Sequence, residues 1–338
     1  MNQEVVVSII IPTFNSGAYI NRCLTALNMQ TYKQLEIIIV DAGSTDNTLT
    51  IIKKHQPELT IKYFIIGQST QSEARNYGIK QASGKYLSFC DSDDFYLPEK
   101  INKQVALMEK EPIDVSYFDV LHFYSDQEKR LFLNLHPTDE DIFAECIMNQ
   151  TINLNSIMVE KQFIDEKKLL FPTGLMGKYG EDGNFIFQLA LHQAQFKKLD
   201  EHLSVVEIRE DSHTQWETQW QMKYYAIQYR TEAKVKIPPK YYPLLEETIK
   251  KLKYKLIISL IIAGKYQDAR QELKSIARPY FSWLITSIFF FLQLIPQKTA
   301  NKVITYLWGI RRSKMHIIYP IANKNLQEQL QYIFNITN

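Results

Sequence analysis

The chain reads as an α/β protein, a three-layer domain around a mainly parallel central sheet followed by a helical region. Three observations predict this. Apolar β-branched runs alternate with helical periodicities through the first third of the sequence, each run empties into a polar loop, and positive charge gathers behind residue 220.

The first run, residues 5–11, closes on Pro12-Thr13-Phe14-Asn15, and the second, 35–40, closes on Asp41-Ala42-Gly43-Ser44-Thr45-Asp46. Continuous β-branched stretches of this kind suit strands buried on both faces. Between them residues 18–29 carry Ile20, Leu24 and Leu27 at helical spacing. Residues 46–55 repeat the pattern with Leu49, Ile51 and Ile52. A further strand, 86–90, empties into Asp91-Ser92-Asp93-Asp94. In such an alternation the carboxyl ends of the strands share one crevice, so Asn15, Asp41 and Asp91 are expected to gather there.

Three carboxylates in four residues repel one another unless a cation or hydrogen-bond donors compensate. Hard oxygen ligands at a strand end suit Mg²⁺ or Mn²⁺ carrying a substrate diphosphate. Asp94 has a second reading, as the cap of a helix entered through Pro98.

The strings VSIIIPTFN, QTYKQLEIIIVDAGSTDNT and SEARNYGIKQASGKYLSFCDSDDF, with the later Gly180-Glu181-Asp182, resemble family-2 inverting glycosyltransferases of the GT-A fold. The resemblance covers about residues 5–215. It implies transfer of a sugar, of the hexosyl or N-acetylhexosaminyl type, from a nucleotide-sugar to an acceptor hydroxyl, with inversion and a divalent cation on the diphosphate. Its site residues carry over one by one. Thr13 and Asn15 match the loop that wraps base and ribose, and Asp41 matches the acid facing the nucleotide. Where the family commonly has a second acid, this chain has Ala42, which leaves UDP favoured over GDP or dTDP only modestly. Arg75 and Asn76 match an Ala-Arg-Asn element at the nucleotide or diphosphate, a surface salt bridge being the alternative for Arg75. Asp91 is implied to meet ribose or metal-bound water, and Asp93 to bind the metal. Asp182 is implied as the base and Glu181 as its orienting or acceptor-binding neighbour; the alternative is that both merely start a helix over 183–192. Arg209, Ser212 and His213 resemble the segment closing over the diphosphate, with His213 a metal ligand, a phosphate donor or a surface histidine. Ser44 and Asp46 also suit turn and cap roles.

At 338 residues and 45% hydrophobic, the chain can bury one sizeable core and a smaller appendage. The predicted division is a catalytic domain over 1–220, with a nucleotide-sugar half to about 97 and an acceptor half beyond, then a basic helical region over 221–338. Cys23, Cys90 and Cys146 make neither a disulfide framework nor a zinc site, which suits a reducing cytosol. No Walker loop or GxGxxG occurs, which argues against an ATPase or dehydrogenase.

The net charge of +2 conceals a division: 20 Lys and Arg stand against 31 Asp and Glu up to residue 220, and 19 against 6 after it. Helical patterns over 245–262 and 266–277, after a linker at Pro238-Pro239, lead to a nearly unbroken apolar run at 281–295. Between Pro279 and Pro296 a helix would span about 24 Å at roughly 1.5 Å per residue, short of a bilayer core of about 30 Å. A segment of about 279–312 lying in, or dipping into, one leaflet is expected, with Trp283, Tyr306 and Trp308 at headgroup level; a buried core helix and a true span are the alternatives. The basic half then faces an anionic membrane surface rather than nucleic acid. Together these readings predict a bacterial enzyme at the cytoplasmic face of the membrane, peripheral or monotopic, glycosylating a lipid-linked or polysaccharide acceptor. A nucleotidyltransferase, for which the Gly-rich basic triphosphate loop is missing, and a non-catalytic sugar-nucleotide-binding scaffold, to which Ala42 points, are the competing readings.

Overall fold

The computed structural model describes residues 5–124, 130–134, 140–148, 152–208, 219–275 and 317–318. Arg209, Ser212, His213 and the apolar run at 281–295 lie outside these. The chain divides into two compact units near residue 210.

The first unit opens with the predicted β1 (Val7–Thr13), α1 (Ile20–Asn28), β2 (Leu35–Asp41) and α2 (Thr48–His55), then adds β3 (Ile61–Ile65) and α3 (Gln71–Gln81) before the predicted β4 (Tyr86–Phe89). It continues with β5 (Phe95–Tyr96), α4 (Lys100–Lys110), β6 (Val115–Phe118), β7 (Val120–Tyr124), β8 (Arg130–Asn134), α5 (Ile142–Ile147) and β9 (Met158–Glu160). α6 (Lys161–Lys167), α7 (Met176–Tyr179), α8 (Glu181–Leu191), β10 (Phe196–Leu199) and β11 (Ser204–Ile208) follow. The second unit contains α9 (Gln219–Ala233), α10 (Tyr242–Ile262) and α11 (Tyr266–Ser275). Pro238-Pro239, expected to be a linker, instead makes a corner inside this unit, where a 3₁₀ turn over Pro239–Tyr241 leads straight into α10. Proline suits the first turn of a helix because its missing N–H has no intrahelical partner there. No helix among the described residues is long and apolar enough to cross a membrane.

Seven strands form the central sheet in the order β10-β6-β9-β4-β1-β2-β3. β1 runs parallel to both neighbours, with Thr13 level with Asp41 on one side and Ile10 with Phe89 on the other. β9 alone runs antiparallel to its neighbours β4 and β6. The strand order reverses between β1 and β4, and a crevice opens at the carboxyl ends of strands at such a reversal. Part of a second sheet joins β8, β7, β11 and β5 in that order.

The core explains why the runs are unbroken. Ile9, Ile11, Ile37 and Ile39 are fully buried against Ile20, Cys23, Leu24 and Leu27 from one face of α1. α3 packs close to β1 at Gly78, where an added Cβ would lie 2.5 Å from Cγ2 of Ile10. That contact brings the first half of α3, with Arg75, close to the strand ends.

At the amino ends of the strands Glu36 ties four segments together. Its carboxylate accepts from Ser8 Oγ at 2.5 Å, Ser83 N at 2.9 Å and Ser83 Oγ at 2.8 Å, and pairs with Lys62. Burial works to raise its pKa, but Lys62, Ser8 and Ser83 outweigh that and hold the carboxyl at about 2, below the ordinary 4.5. A depressed acid contributes stability that is complete above its unfolded pKa and is lost as pH falls through the folded one. Glu36→Gln should therefore cost about 2 kcal/mol at neutral pH, the order of one or two hydrogen bonds to a charged group. Calorimetric scans from pH 5 to pH 2 should show the wild type losing this margin and the variant showing a flatter profile; parallel profiles would count against the network.

Candidate active site

Two loops close the carboxyl ends of β1 and β2 by holding each other. Asn15, at a left-handed φ of 47°, donates its N–H to Ser44 Oγ at 2.8 Å and accepts from the Thr45 N–H at 2.9 Å. Asn tolerates that backbone region better than most residues. Asp41 is buried, and both its oxygens are engaged from within the protein. Gly43 N, Ser44 N and Ser44 Oγ reach Oδ1 at 2.9, 2.7 and 2.8 Å, and the Tyr63 hydroxyl reaches Oδ2 at 2.5 Å. Burial, then the bond to Asp41 and its charge, push the Tyr63 phenol up. Asp41, expected to face the nucleotide, thus also shapes the loop that follows it. Asp46 takes the turn role, accepting from Gly17 N at 2.9 Å and from Thr48 N at 3.0 Å.

Sequence reasoning missed the apolar side of this crevice. Phe14 is 59% exposed and Ile65 62% exposed, while Thr13, Asp41 and Ile65 stand level across three adjacent strands. A large ring beginning the loop after a buried strand was the available signal, because nothing in the strand pattern requires it to point outward.

Arg75 is the centre of the opposite wall. The capping box of Thr70 and Glu73 starts α3, and one turn later the guanidinium is fully buried. It donates to Asp91 Oδ1 at 2.7 Å and to Asp182 Oδ1 at 3.0 Å, with Glu181 Oε1 at 3.7 Å. Beneath it lies the Phe171 ring at 5.4 Å, stacked on Phe185 at 4.0 Å and met edge-on by Phe89. The Asn76 amide is engaged by Phe171, donating to its carbonyl at 2.9 Å and accepting from its N–H at 2.8 Å. Asn76, expected at the donor, also holds the aromatic floor under Arg75.

Three carboxylates around one cation leave excess negative charge. Burial would lower the Arg75 pKa, but Asp182, Asp91 and Glu181 together raise it. Burial first, and then the Asp182 charge, push Glu181 up to about 7 against the pull of Arg75. Asp182 is raised as well, by loss of surrounding water and by Asp91, with Arg75 opposing; 42% of its side chain nonetheless reaches solvent. α8 begins at Glu181, two residues before the expected start, so both acids also lie at the positive end of a helix.

The acidic loop is pinned along its length. Asp91 N donates to Asn155 Oδ1 at 2.9 Å, Ser92 Oγ meets Ser16 Oγ at 2.7 Å, and the Asp93 carbonyl accepts from Arg22 at 2.7 Å. Arg22 also pairs with Glu207 of β11. Asp94 is not the predicted helix cap, since α4 starts at Lys100 behind Glu99. Its buried carboxyl accepts instead from Asn155 Nδ2 at 2.6 Å and from Glu207 N at 2.9 Å. Burial and the charges of Asp93 and Asp91 push its pKa well up. The loop also rests on a contact the spacing of the cysteines had hidden, Cys23 Sγ against Cys90 Sγ at 3.7 Å, both thiols free.

No group of three His, Cys, Asp or Glu side chains placed to hold an ion occurs among the described residues. Asp91 and Asp93 are both only partly buried. Two hard carboxylates at a strand end fit a cation that arrives with phosphate ligands, not one held in an all-protein cage.

Residues 8–171 match the family described as Glycosyl transferase family 2. An uncharacterized glycosyltransferase of Rickettsia conorii is 29% identical over 211 residues, 62% of this chain and 34% of its own length. This chain thus spans about a third of the first curated relatives it matches. Among solved structures, S. aureus TarS 1-349 in complex with UDP-GlcNAc superposes with a TM-score of 0.54 at 18% identity, covering 79% of this chain and 88% of that one. The mannosyltransferase PcManGT of Pyrobaculum calidifontis, in complex with GDP-Man and Mn²⁺, gives 0.57 at 16% identity, covering 90% and 86%. Buried parallel strands, a polar crevice at their reversal and the matched stretch agree: residues 8–171 of this chain match glycosyl transferase family 2, and the fold is GT-A.

Proposed function

We propose that the chain transfers a sugar from a nucleotide-sugar to an acceptor hydroxyl with inversion at the anomeric carbon. The observation that carries this reading is Arg75, which brings Asp91 of the acidic loop and Asp182 at the start of α8 to one guanidinium. The donor occupies the crevice between the loops after β1, β2 and β4, where the exposed Phe14 ring offers a face to a nucleobase. TarS and PcManGT were solved with uracil and guanine nucleotides respectively, and Ala42 leaves the choice of base open. The acceptor is a lipid-linked or polysaccharide hydroxyl.

Asp182 takes the proton of that hydroxyl as its oxygen attacks the anomeric carbon. The bond to the diphosphate breaks and the nucleoside diphosphate leaves with the electron pair. Arg75 fixes one Asp182 oxygen and stabilises its ionised form, while burial keeps its basicity above that of an ordinary aspartate. Glu181 adds negative charge beside it. Asp91 and Asp93 would hold the Mg²⁺ or Mn²⁺, whose contribution when bound is to neutralise charge on the leaving diphosphate.

Asp182→Asn keeps shape and removes basicity. Turnover should fall by about two to four orders of magnitude while donor affinity, read by calorimetric titration, stays within twofold. A matching loss of donor affinity would place Asp182 at the nucleotide instead.

The Glu181 and Asp182 pair should set the acid limb of kcat/KM, with activity rising as the pair ionises above the ordinary carboxylate range. Removing one negative charge lets the remaining acid ionise earlier. Glu181→Gln should thus move the limb to lower pH, and an unmoved limb would separate the pair from the rate.

Asp93→Asn should leave the melting temperature unchanged and abolish Mn²⁺-dependent donor binding. Full activity of this variant in excess chelator would remove the acidic loop from the metal assignment.

A further inference from the structure

A closed ring of bonds holds the far end of the acidic loop. Nη2 of Arg22, on α1, donates to the Asp93 carbonyl at 2.7 Å and also pairs with the Glu207 carboxylate. Glu207, on β11, returns to the loop through its own N–H, which donates to Asp94 Oδ1 at 2.9 Å. Asp93 and Asp94 are neighbours in the chain, so the ring closes. Its strand side is fixed by register, because β11 pairs with β5 directly after the loop, Val205 standing level with Phe95. The near end of the loop has a separate hold in Asn155, which accepts from Asp91 N at 2.9 Å.

The side chains of Arg22 and Glu207 are only 8% and 7% exposed. Taking two charges out of water costs about what their attraction returns, so a buried pair adds little net stability over apolar side chains of the same volume. An apolar pair, however, could not donate to a backbone carbonyl. The one Arg22 nitrogen in both bonds has an N–H for each, which sets the directions of the Glu207 carboxylate and the Asp93 carbonyl together. The guanidinium also lies over the Phe95 ring at 5.2 Å, a contact that favours one orientation.

We propose that Arg22 and Glu207 are positioning residues for the transfer: together they fix the Asp93 carbonyl, and so the direction in which the loop presents the Asp91 and Asp93 carboxylates to the donor's diphosphate and its cation. This role rests on the reading of the acidic loop as the donor's metal-binding element. The pair acts through the loop and not on the substrate. A cation shared between two protein carboxylates and a diphosphate depends on how those carboxylates are spaced, and losing a partner that orients a ligand from behind costs about 10- to 100-fold in metal affinity or activity.

The test uses the full chain carrying Arg22→Met together with Glu207→Met, which opens the ring without leaving a lone buried charge. Its melting temperature should stay close to that of the wild type. In excess chelator, hydrogen exchange across residues 91–94 should quicken about tenfold, the equivalent of one hydrogen bond to a charged group, while the central sheet exchanges as before. With UDP and GDP as probes, half-maximal nucleotide binding should need about 10- to 100-fold more Mn²⁺, and binding without metal should be unchanged. Arg22→Lys keeps a cation with N–H groups for both bonds and should recover most of the protection. Unchanged exchange across 91–94 in the folded double variant would overturn the proposal. Faster exchange throughout the first unit would do the same, since it marks a pair that only stabilises the fold. If the double variant does not fold, Arg22→Gln with Glu207→Gln supplies the same readings, because a neutral amide too short to reach both partners also releases the Asp93 carbonyl. A loop loosened in chelator, in a protein whose wild type shows no Mn²⁺-dependent nucleotide binding, would support the ring as the loop's positioning device and take the cation out of the proposed function.

Discussion

A guanidinium removed from water must be neutralised where it lies, and at Arg75 that requirement organises the whole carboxyl edge of the sheet. An unpaired buried charge costs several kcal/mol, so the elements around it are constrained to deliver carboxylates. Asp91 comes from the end of β4 and Asp182 and Glu181 from the start of α8, segments remote in sequence that this one side chain brings together. The position of the guanidinium follows from α3, which lies close to β1 because Gly78 has no Cβ to hold it away. Below, Phe171, Phe185 and Phe89 form a rigid floor, and Asn76 fastens Phe171 to α3. Packing thus determines where the charges sit.

The two ends of the strands carry polar groups of opposite kinds. At the amino ends Glu36 has four donors and its charge is compensated, as expected of a residue that holds segments together. At the carboxyl ends negative charge exceeds positive, and Glu181, Asp182 and Asp94 are all displaced upward from their ordinary pKa range. Groups with perturbed pKa values in a cleft mark functional sites more often than structural ones. The excess is the kind of imbalance that a cationic ligand, or a proton in transit, relieves.

Structures with a similar fold at only 16–18% identity show how little of the sequence the fold itself demands. What it demands is the buried strands and the reversal of strand order between β1 and β4. Residues facing the crevice are free to differ, as at Ala42, where the loop closes through its backbone N–H on the Thr13 carbonyl and makes no use of the side chain.

The sequence alone determined the opening order of strand, helix, strand, helix, the strand before Asp91 and the crowding of carboxylates after it, because all are local. A buried strand must be apolar at every position, a helix must repeat its apolar face, and three acids in four residues are neighbours whatever the fold does. The same locality explains the errors. Asp94 read as a cap because an aspartate before a proline and a helix has that local meaning, yet Asn155 and the Glu207 N–H claim it from other parts of the chain. Asp41 and Asn76 have the residue types of ligand-binding groups, and only the fold showed that Tyr63, Ser44 and Phe171 bond to them as well. Cys23 and Cys90 lie far apart in sequence and 3.7 Å apart in space. Which carboxylates meet Arg75 and which acids are raised both depend on distances between segments remote in the chain. Tertiary packing decides these, because electrostatic and hydrogen-bond energies are set by separation in space and by exclusion of water.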